Sequence, residues 1–267
     1  HREYLELGRK GYLELKKYAD NLKIFFFATP FDFNSVDFLD EINVAAYKIA
    51  SADLTNIPLQ KYIAKKKKQI FLSTGGGNME DINRAYKNII SINKKLSILQ
   101  CTAAYPVSPK EMNLKVISKL KEKYPKLIIG ISDHESGIDA SAIAYMMGAR
   151  VFEKHFTLDH SWKGTDHSFS LMPEGLRKLV RNLNRIPEML GNGVKKTYLS
   201  EIKPIKKMAK SIVASNNIKK GKKINLSDLS FKSPGGGLAP YEYKKLINKT
   251  LKKELLKDQP LSLKDIK

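Results

Sequence analysis

Residues 23–157 repeat one pattern that restricts the possible folds. Six short runs of mainly β-branched and aromatic residues each end in polar side chains, and an amphipathic helical pattern follows each run. The runs begin about 20 to 30 residues apart, which is typical of βα units in a parallel sheet covered on both faces. The predicted strands are residues 23–32, 45–51, 69–77, 96–106, 127–135 and 149–157. The pattern therefore predicts an α/β fold.

Two α/β architectures fit these units, a doubly wound sheet and a (β/α)8 TIM barrel. No G-x-G-x-x-G sequence follows the first run, which argues against a dinucleotide-binding sheet. Reactive side chains instead stand at the end of every run, as they do in barrels, whose active sites draw on many strand ends around one mouth. A barrel has eight units, so we expect the first two to lie upstream of His1, about 60 to 80 residues at roughly 30 residues per unit.

The tail of the chain, residues 211–267, has a different character, with short strands, basic turns and a Gly-rich loop. It contains an internal repeat in which residues 218–229 match residues 255–266. We therefore expect a small β domain at 211–267, a linker at 194–210 and a barrel domain at 1–193.

The chain is strongly basic, with 48 Lys and Arg against 27 Asp and Glu and a formal net charge of +21. Such a balance is common in proteins that bind nucleic acid. Only seven of the 48 basic residues are Arg, however, and base and phosphate recognition favours the bidentate fork of Arg. We therefore expect a solvated basic surface and an anionic small substrate, and no nucleic-acid partner.

Other features of the sequence indicate the cellular compartment of the protein. No apolar run approaches the ~18 residues that span a bilayer, and the opening residues do not resemble a signal peptide. The single cysteine, Cys101, excludes an internal disulfide, and its place on a predicted strand indicates a core position. We expect a cytoplasmic protein without a membrane partner.

Two histidines are candidate metal ligands. His134 in ISDHE and His155 in EKHFT both stand at predicted strand ends, one βα unit apart, so they can converge above a barrel. Two imidazoles with carboxylate or water ligands suit a divalent ion such as Mn²⁺ or Zn²⁺. Alternatively, the two rings make structural hydrogen bonds.

Lys48 is a second candidate, because it lies inside the apolar run AAYKIAS and a buried ammonium group is costly without an anion. Its side chain could reach solvent, pair with a core carboxylate or form a Schiff base. Hydroxyl groups at other strand ends would complement Lys48 as donors to a phosphate or carboxylate: Thr29, Ser51, Ser73 and Ser132.

Taken in order, the strings YKIAS, FLSTGG, CTAAYP, GISDHESGI and EKHFTLD, followed by an IKKG module, resemble the sialic acid synthases. The resemblance extends from about Leu15 to Ile266. It implies a TIM barrel followed by a C-terminal antifreeze-like (SAF) domain with a β-clip fold. It also implies a transferase that condenses phosphoenolpyruvate with water and an N-acyl amino sugar, such as N-acetylmannosamine, to give a nonulosonic acid and phosphate.

The resemblance assigns roles by motif position. His134 and His155 match metal-binding histidines, most often of Mn²⁺, with Mg²⁺ or Co²⁺ as alternatives, and with Lys48 and Asp53 they form the expected catalytic set. The positions that match phosphoenolpyruvate-binding residues are Thr29, Lys48, Ser51, Ser73 and Ser132. The positions that match sugar contacts are Asp53, Tyr105 and Asp166.

The resemblance further implies a domain-swapped homodimer whose SAF domain covers the partner's barrel mouth. The chain departs from the family pattern at Ala103, where Asn or Ser is common, and at Ser233, where Arg is usual. The upstream strands would carry a Glu and a Lys that contact phosphoenolpyruvate. Two alternatives follow: a catalytically impaired or silent homologue that binds an anionic glycan, and a deoxy-sugar-acid synthase, which is not expected to carry the SAF domain.

Overall fold

The computed structural model describes residues 7–267, and the chain divides between Leu190 and Gly191 into two compact units. The expected linker, residues 194–210, contains a helix, Leu199–Met208. Within the described part of the chain, no helix combines the length and apolar character that crossing a bilayer requires.

One parallel sheet forms the centre of the first unit, with its strands in chain order. The strands are β1 (Ala46–Ile49), β2 (Gln69–Ser73), β3 (Leu96–Cys101), β4 (Ile128–Asp133) and β5 (Val151–Lys154). All four residues of β1 and all six of β3 are buried, as expected for a sheet covered on both faces. The sheet curls into part of a barrel, which confirms the predicted fold class.

Helices alternate with the strands along the chain. They are α1 (Arg9–Asn21), α2 (Phe33–Glu41), α3 (Ile57–Lys65), α4 (Met79–Ile90), α5 (Lys115–Lys123), α6 (Asp139–Met146) and α7 (Pro173–Leu190), with α8 (Leu199–Met208) in the second unit. Local sequence explains where several begin. Asp32 caps α2 by accepting from the Ser35 N–H at 2.8 Å, and Asn78 with Asp81 forms a capping box at α4.

The first predicted strand, residues 23–32, is wrong as a full strand. Only Ala28 forms a β-bridge, to Tyr47, and its carbonyl accepts from the Lys48 N–H at 3.1 Å. Phe25, in the same run, is 85% exposed. The run is apolar enough for a strand, but within the described residues it has a hydrogen-bonded neighbour on one side only.

The second unit contains two copies of one motif, as the internal repeat predicts. β6 (Ser211–Ala214) pairs antiparallel with β7 (Leu229–Lys232). Ile218 and Leu255, which are equivalent positions of the repeat, pair with each other through N–H···O bonds of 2.7 and 3.0 Å. Exchanging the two copies of the repeat leaves this residue pair unchanged, which indicates a local two-fold axis between the copies.

Hydrogen bonds further from this pair also recur at equivalent positions of the two copies. The Ser215 N–H donates to the Asp228 carbonyl at 2.9 Å, and the equivalent Lys252 N–H donates to the Asp265 carbonyl at 2.8 Å. The core of this unit is apolar and is drawn from both copies and from the segments just before them: Ile212, Ile218, Ile224, Leu251, Leu255 and Leu261. The repeat thus buries one shared core that neither copy could form alone.

Candidate active site

The two predicted metal-binding histidines lie side by side at the carboxyl edge of the sheet. His134 directly follows β4 and His155 directly follows β5, and the preceding residues, Asp133 and Lys154, are register partners. The ring centroids are 5.2 Å apart and the ring planes are inclined by 74°. The structure therefore brings together two side chains that the strand-end positions predict to converge.

Each imidazole has a neighbour that orients it. The Nδ1 atom of His134 lies 2.9 Å from the Thr102 carbonyl oxygen. Because that oxygen only accepts, Nδ1 carries the proton, and Nε2 is the accepting nitrogen of the neutral ring. The Nδ1 atom of His155 lies 3.4 Å from Oδ2 of Asp166. Partners of this kind fix the orientation of metal-ligating histidines.

The two rings differ in their affinity for protons. Burial lowers the pKa of His155, and the Asp166 carboxylate only partly opposes this effect. Burial also acts to lower the pKa of His134, but the Cys101 thiol and the Thr102 carbonyl outweigh it and hold that pKa above its ordinary value.

The two histidines would supply only two protein ligands to a metal ion. Among residues 7–267, no group of three or more His, Cys, Asp and Glu side chains could hold an ion. Two imidazoles suit a borderline divalent ion that takes its remaining ligands from water or substrate oxygens. A cavity of about 230 Å³ beside the rings leaves room for such ligands; it is lined by Ser132, Asp133, His134, Glu153, Lys154 and His155.

Aromatic rings flank the histidine pair. The ring of Tyr105 lies 4.1 Å from that of His134 and 5.7 Å from that of His155, between centroids. Phe169 lies 5.1 Å from the His155 ring. Tyr105 is 51% exposed, so it covers His134 while keeping a face toward solvent. This position is accessible to a substrate approaching the histidines.

Lys48 is buried, and its ammonium group faces a carboxylate. Its side chain is 10% exposed, and Nζ lies 3.5 Å from Oε2 of Glu153 and donates to the Ile49 carbonyl at 3.2 Å. Of the three outcomes considered for Lys48, the structure shows pairing with a carboxylate. Glu153 precedes His155 by two residues, so Lys48 and the histidines border the same concave face.

The predicted hydroxyl donors lie at the ends of several strands. Ser132 lines the 230 Å³ cavity with the histidines, and Thr29 lines a neighbouring cavity of about 350 Å³ with Lys48 and Glu153. Ser73 is 1% exposed, and its hydroxyl has no hydrogen-bond partner among the described residues. An unpaired buried hydroxyl is unusual. Ser73 lines neither of these two cavities, so its predicted contact with phosphoenolpyruvate stays a prediction.

The glycine run 75–77 could be either a phosphate-binding loop or a plain turn on sequence grounds. The Gly75 N–H donates to the Ser51 hydroxyl at 2.9 Å. A Cβ atom on Gly75 would lie 2.8 Å from Ser51 Oγ and 2.9 Å from the Ala103 Cβ. Gly75 is therefore required for close packing that positions Ser51, and Ala103 forms part of the same contact.

Two other predicted positions have local roles. Asp53 lies on the short turn after β1 and accepts from the Asn56 side chain at 2.9 Å. It does not border either cavity described above, so its predicted sugar contact and catalytic role stay predictions. Ser233 donates to the Met208 carbonyl at 2.9 Å within the second unit.

Sequence reasoning missed two groups at this site. Glu153 was visible only as one of many strand-end polar residues, although its two-residue spacing from His155 places both on one face. The Thr102 carbonyl is a backbone group, and no residue type reveals it.

Comparisons with known families identify both parts of the chain. Residues 1–195 match the NeuB family, and residues 209–267 match the SAF domain. The chain belongs to the NeuB family. The predicted sialic acid synthase family and the predicted C-terminal SAF domain are thereby confirmed.

Individual relatives of this NeuB-family chain are synthases. It is 40% identical over 259 residues to N,N'-diacetyllegionaminic acid synthase of Campylobacter jejuni, covering 96% of this chain and 77% of that protein. It is 38% identical to human N-acetylneuraminate-9-phosphate synthase, covering 87% of this chain and 65% of that protein. The crystal structure of N-acetylneuraminic acid synthetase from Leptospira borgpetersenii superposes with a TM-score of 0.68 at 37% identity, covering 75% of this chain and 70% of that one.

Proposed function

We propose that this NeuB-family synthase condenses phosphoenolpyruvate with the open-chain aldehyde of an N-acyl amino sugar. C3 of phosphoenolpyruvate bonds to the aldehyde carbon, whose oxygen takes a proton, and water adds at C2. The bond between C2 and the bridging phosphate oxygen then breaks, so phosphate leaves with that oxygen. The oxygen from water stays on C2 as the keto oxygen of a 2-keto nonulosonic acid. The relatives named as legionaminic and N-acetylneuraminate-9-phosphate synthases support this class of product.

The observation that carries the proposal is that Glu153 links Lys48 to the histidine pair. Lys48 reaches Glu153, and Glu153 lines the same cavity as His134 and His155. A cation beside two metal-type ligands suits a small, multiply charged anion next to a carbonyl that must be polarised. Phosphoenolpyruvate and an aldehyde are a substrate pair of that kind.

The chain's own residues have separate tasks. The Lys48 ammonium group offsets the charge of phosphoenolpyruvate, and its approach to Glu153 holds it at the cavity wall. The hydroxyls that orient the phosphate and carboxylate are those of Thr29, Ser51, Ser73 and Ser132. Ser132 and Thr29 support this assignment, because they line the cavities beside the histidines and beside Lys48. The sugar enters on the side bordered by Tyr105 and Asp166. Tyr105 covers His134, and Asp166 contacts His155.

His134 and His155 would hold a divalent ion, Mn²⁺ or alternatively Mg²⁺ or Co²⁺, through their Nε2 atoms. When bound, such an ion supplies Lewis acidity toward the aldehyde oxygen. Contacts at the Nδ1 atoms orient the two rings for this role. The Thr102 carbonyl contacts His134, and the Asp166 carboxylate contacts His155.

The proposed protein works as a domain-swapped homodimer, with the SAF domain of one protomer over the partner's site. Ser233 stands where the family pattern usually has Arg, so the contribution of the SAF domain to the sugar site is weaker in this proposal. Ala103 likewise presents a methyl group where a polar contact is common.

The proposal is tested with phosphoenolpyruvate labelled with ¹⁸O at the bridging oxygen. With Mn²⁺ and N-acetylmannosamine or a diacetamido sugar, we expect release of phosphate that carries the label, and none without sugar. Unlabelled phosphate would contradict the bond cleavage. No phosphate with any N-acyl amino sugar would contradict the enzymatic function and favour a silent homologue that binds an anionic glycan.

A further inference from the structure

A buried ion pair lies directly behind the two histidines. Asp133 and Lys154, the residues immediately before His134 and His155, have side chains 0% and 5% exposed, and Lys154 Nζ lies 3.0 Å from Asp133 Oδ2. Side chains alternate along a strand, so the Asp133 and Lys154 side chains point to the opposite side of the sheet from those of His134 and His155, although both residues also border the 230 Å³ cavity. The pair faces α6, where the Ser141 hydroxyl lies 3.5 Å from the Asp133 carboxylate.

The hydrogen bonds of this pair enclose His134. The Lys154 ammonium group also donates to the Glu135 carbonyl at 2.6 Å, and the Asp133 carboxylate accepts from the Glu135 N–H at 2.9 Å. Lys154 therefore binds the residue before His134 and the residue after it. Because Lys154 itself precedes His155, these bonds tie the backbone on both sides of one imidazole to the backbone that carries the other.

Stability alone does not account for two charges at this place. Burying an ion pair removes both charges from water, and an apolar pair of similar size is often equally or more stabilising. An apolar pair, however, makes no directional bonds to the Glu135 carbonyl and N–H. Charged, hydrogen-bonding side chains are needed here because their bonds to Glu135 fix the backbone conformation around His134.

We propose that Asp133 and Lys154 are positioning residues that fix the distance and angle between the His134 and His155 rings. The consequence for metal affinity rests on the proposed function, whereas the consequence for ring geometry does not. A pair of imidazoles held at one separation binds an ion without first being ordered, so loosening the pair should weaken binding without unfolding the protein.

The test compares the wild type with the double variant Asp133→Leu/Lys154→Met. The matched control is Lys66→Met, which removes ion pairs to Asp37 and Asp40 on the outside of the same unit. Three quantities are measured: the melting temperature, the Mn²⁺ affinity by electron paramagnetic resonance, and the nuclear Overhauser effect between the two rings in metal-free protein. The last quantity does not depend on activity or on metal.

We expect the double variant to melt at or above the wild-type temperature, to bind Mn²⁺ about 10- to 100-fold more weakly, and to lose the ring-to-ring Overhauser effect. The control should keep wild-type affinity and ring geometry. A double variant with wild-type Mn²⁺ affinity and an intact Overhauser effect would overturn the inference and leave the proposed function standing.

Two further outcomes are also decisive. If the wild type does not bind Mn²⁺, the metal part of the proposed function fails, and the Overhauser effect alone decides the positioning role. If the double variant does not fold, Asp133→Asn replaces it, because the amide oxygen can still accept from the Glu135 N–H while the charge facing Lys154 is lost. Weaker ring coupling in Asp133→Asn supports the inference, and unchanged coupling overturns it.

Discussion

The Lys48 ammonium group lies 3.5 Å from the Glu153 carboxylate, although these residues belong to the first and last strands of a five-stranded sheet. Neighbouring strands are ~4.8 Å apart, so four steps across a flat sheet would separate them by roughly 19 Å. The contact therefore requires a strongly curled sheet. This curl brings the lysine expected to bind phosphoenolpyruvate to the strand that leads to His155.

Replacing Lys48 by Met should weaken phosphoenolpyruvate binding and catalysis. The methionine fills the space but supplies no charge, so we expect kcat/KM for phosphoenolpyruvate to fall about 100-fold or more. Steady-state phosphate release measures this change. Lys87→Met, on the exposed side of α4, is the control and should retain wild-type kinetics. A Lys48→Met protein as active as this control would remove Lys48 from the site.

Each histidine should be necessary for metal binding. His134→Ala and His155→Ala each remove one of two protein donors, so we expect the Mn²⁺ content after gel filtration to fall below detection in elemental analysis. His160→Ala is the control, because His160 donates to the Ser170 carbonyl at 2.8 Å outside the pair. Unchanged metal content in either test variant would place the ion elsewhere.

Gly75→Ala should disturb Ser51 specifically. The added methyl group would lie 2.8 Å from Ser51 Oγ, so the hydroxyl must move. We expect an approximately tenfold rise in KM for phosphoenolpyruvate and a loss of about 1–3 kcal/mol of stability. Gly8→Ala is the control, since nothing lies within 4 Å of the added atom. Wild-type KM in Gly75→Ala would show that Ser51 does not contact the substrate.

Acid should destabilise the second unit through two equivalent carboxylates. Burial acts to raise the pKa of Asp228, but Lys222 and the Asn225 N–H outweigh it and hold that pKa below its ordinary value. The same balance, with Lys253 and Ser262, lowers the pKa of Asp265. Each carboxylate therefore contributes stability above the unfolded pKa of ~3.9, and this is lost as the pH falls through the folded pKa.

Asp228→Asn and Asp265→Asn should each lower the free energy of unfolding by about 1–3 kcal/mol at pH 7, and by progressively less as the pH falls below the unfolded pKa of ~3.9. Urea unfolding, followed by the methyl NMR signals of the second unit's core, measures this. Asp258→Asn, which removes a half-exposed pair with Lys232, should cost less than about 1 kcal/mol. Equal stability of all three variants at pH 7 would contradict the assignment.

Local sequence pattern predicts much of this fold for a physical reason. A buried parallel strand is typically a short, mainly apolar run, and β1 to β5 all lie within the predicted runs, even though β1 contains Lys48 and β5 contains Glu153 and Lys154. Residues 23–32 have the same pattern but pair only at Ala28, because a strand also needs partners that the run itself does not specify. The repeat in the second unit was visible because equivalent positions keep similar residues.

The candidate site was only partly accessible from sequence. His134 and His155 could be paired because both directly follow strands that neighbour each other. The partner of Lys48 could not be identified, since Glu153 reaches it only through the curl of the sheet. The Asp133–Lys154 pair likewise depends on the register between β4 and β5, which the sequence does not specify.

The most direct test of the central claim is an anomalous-scattering map from crystals of the protein grown with Mn²⁺ and phosphoenolpyruvate. We predict one manganese peak within bonding distance of the Nε2 atoms of His134 and His155, with phosphoenolpyruvate density against the Lys48 ammonium group. A manganese peak away from this histidine pair, or phosphoenolpyruvate bound away from Lys48, would contradict the account.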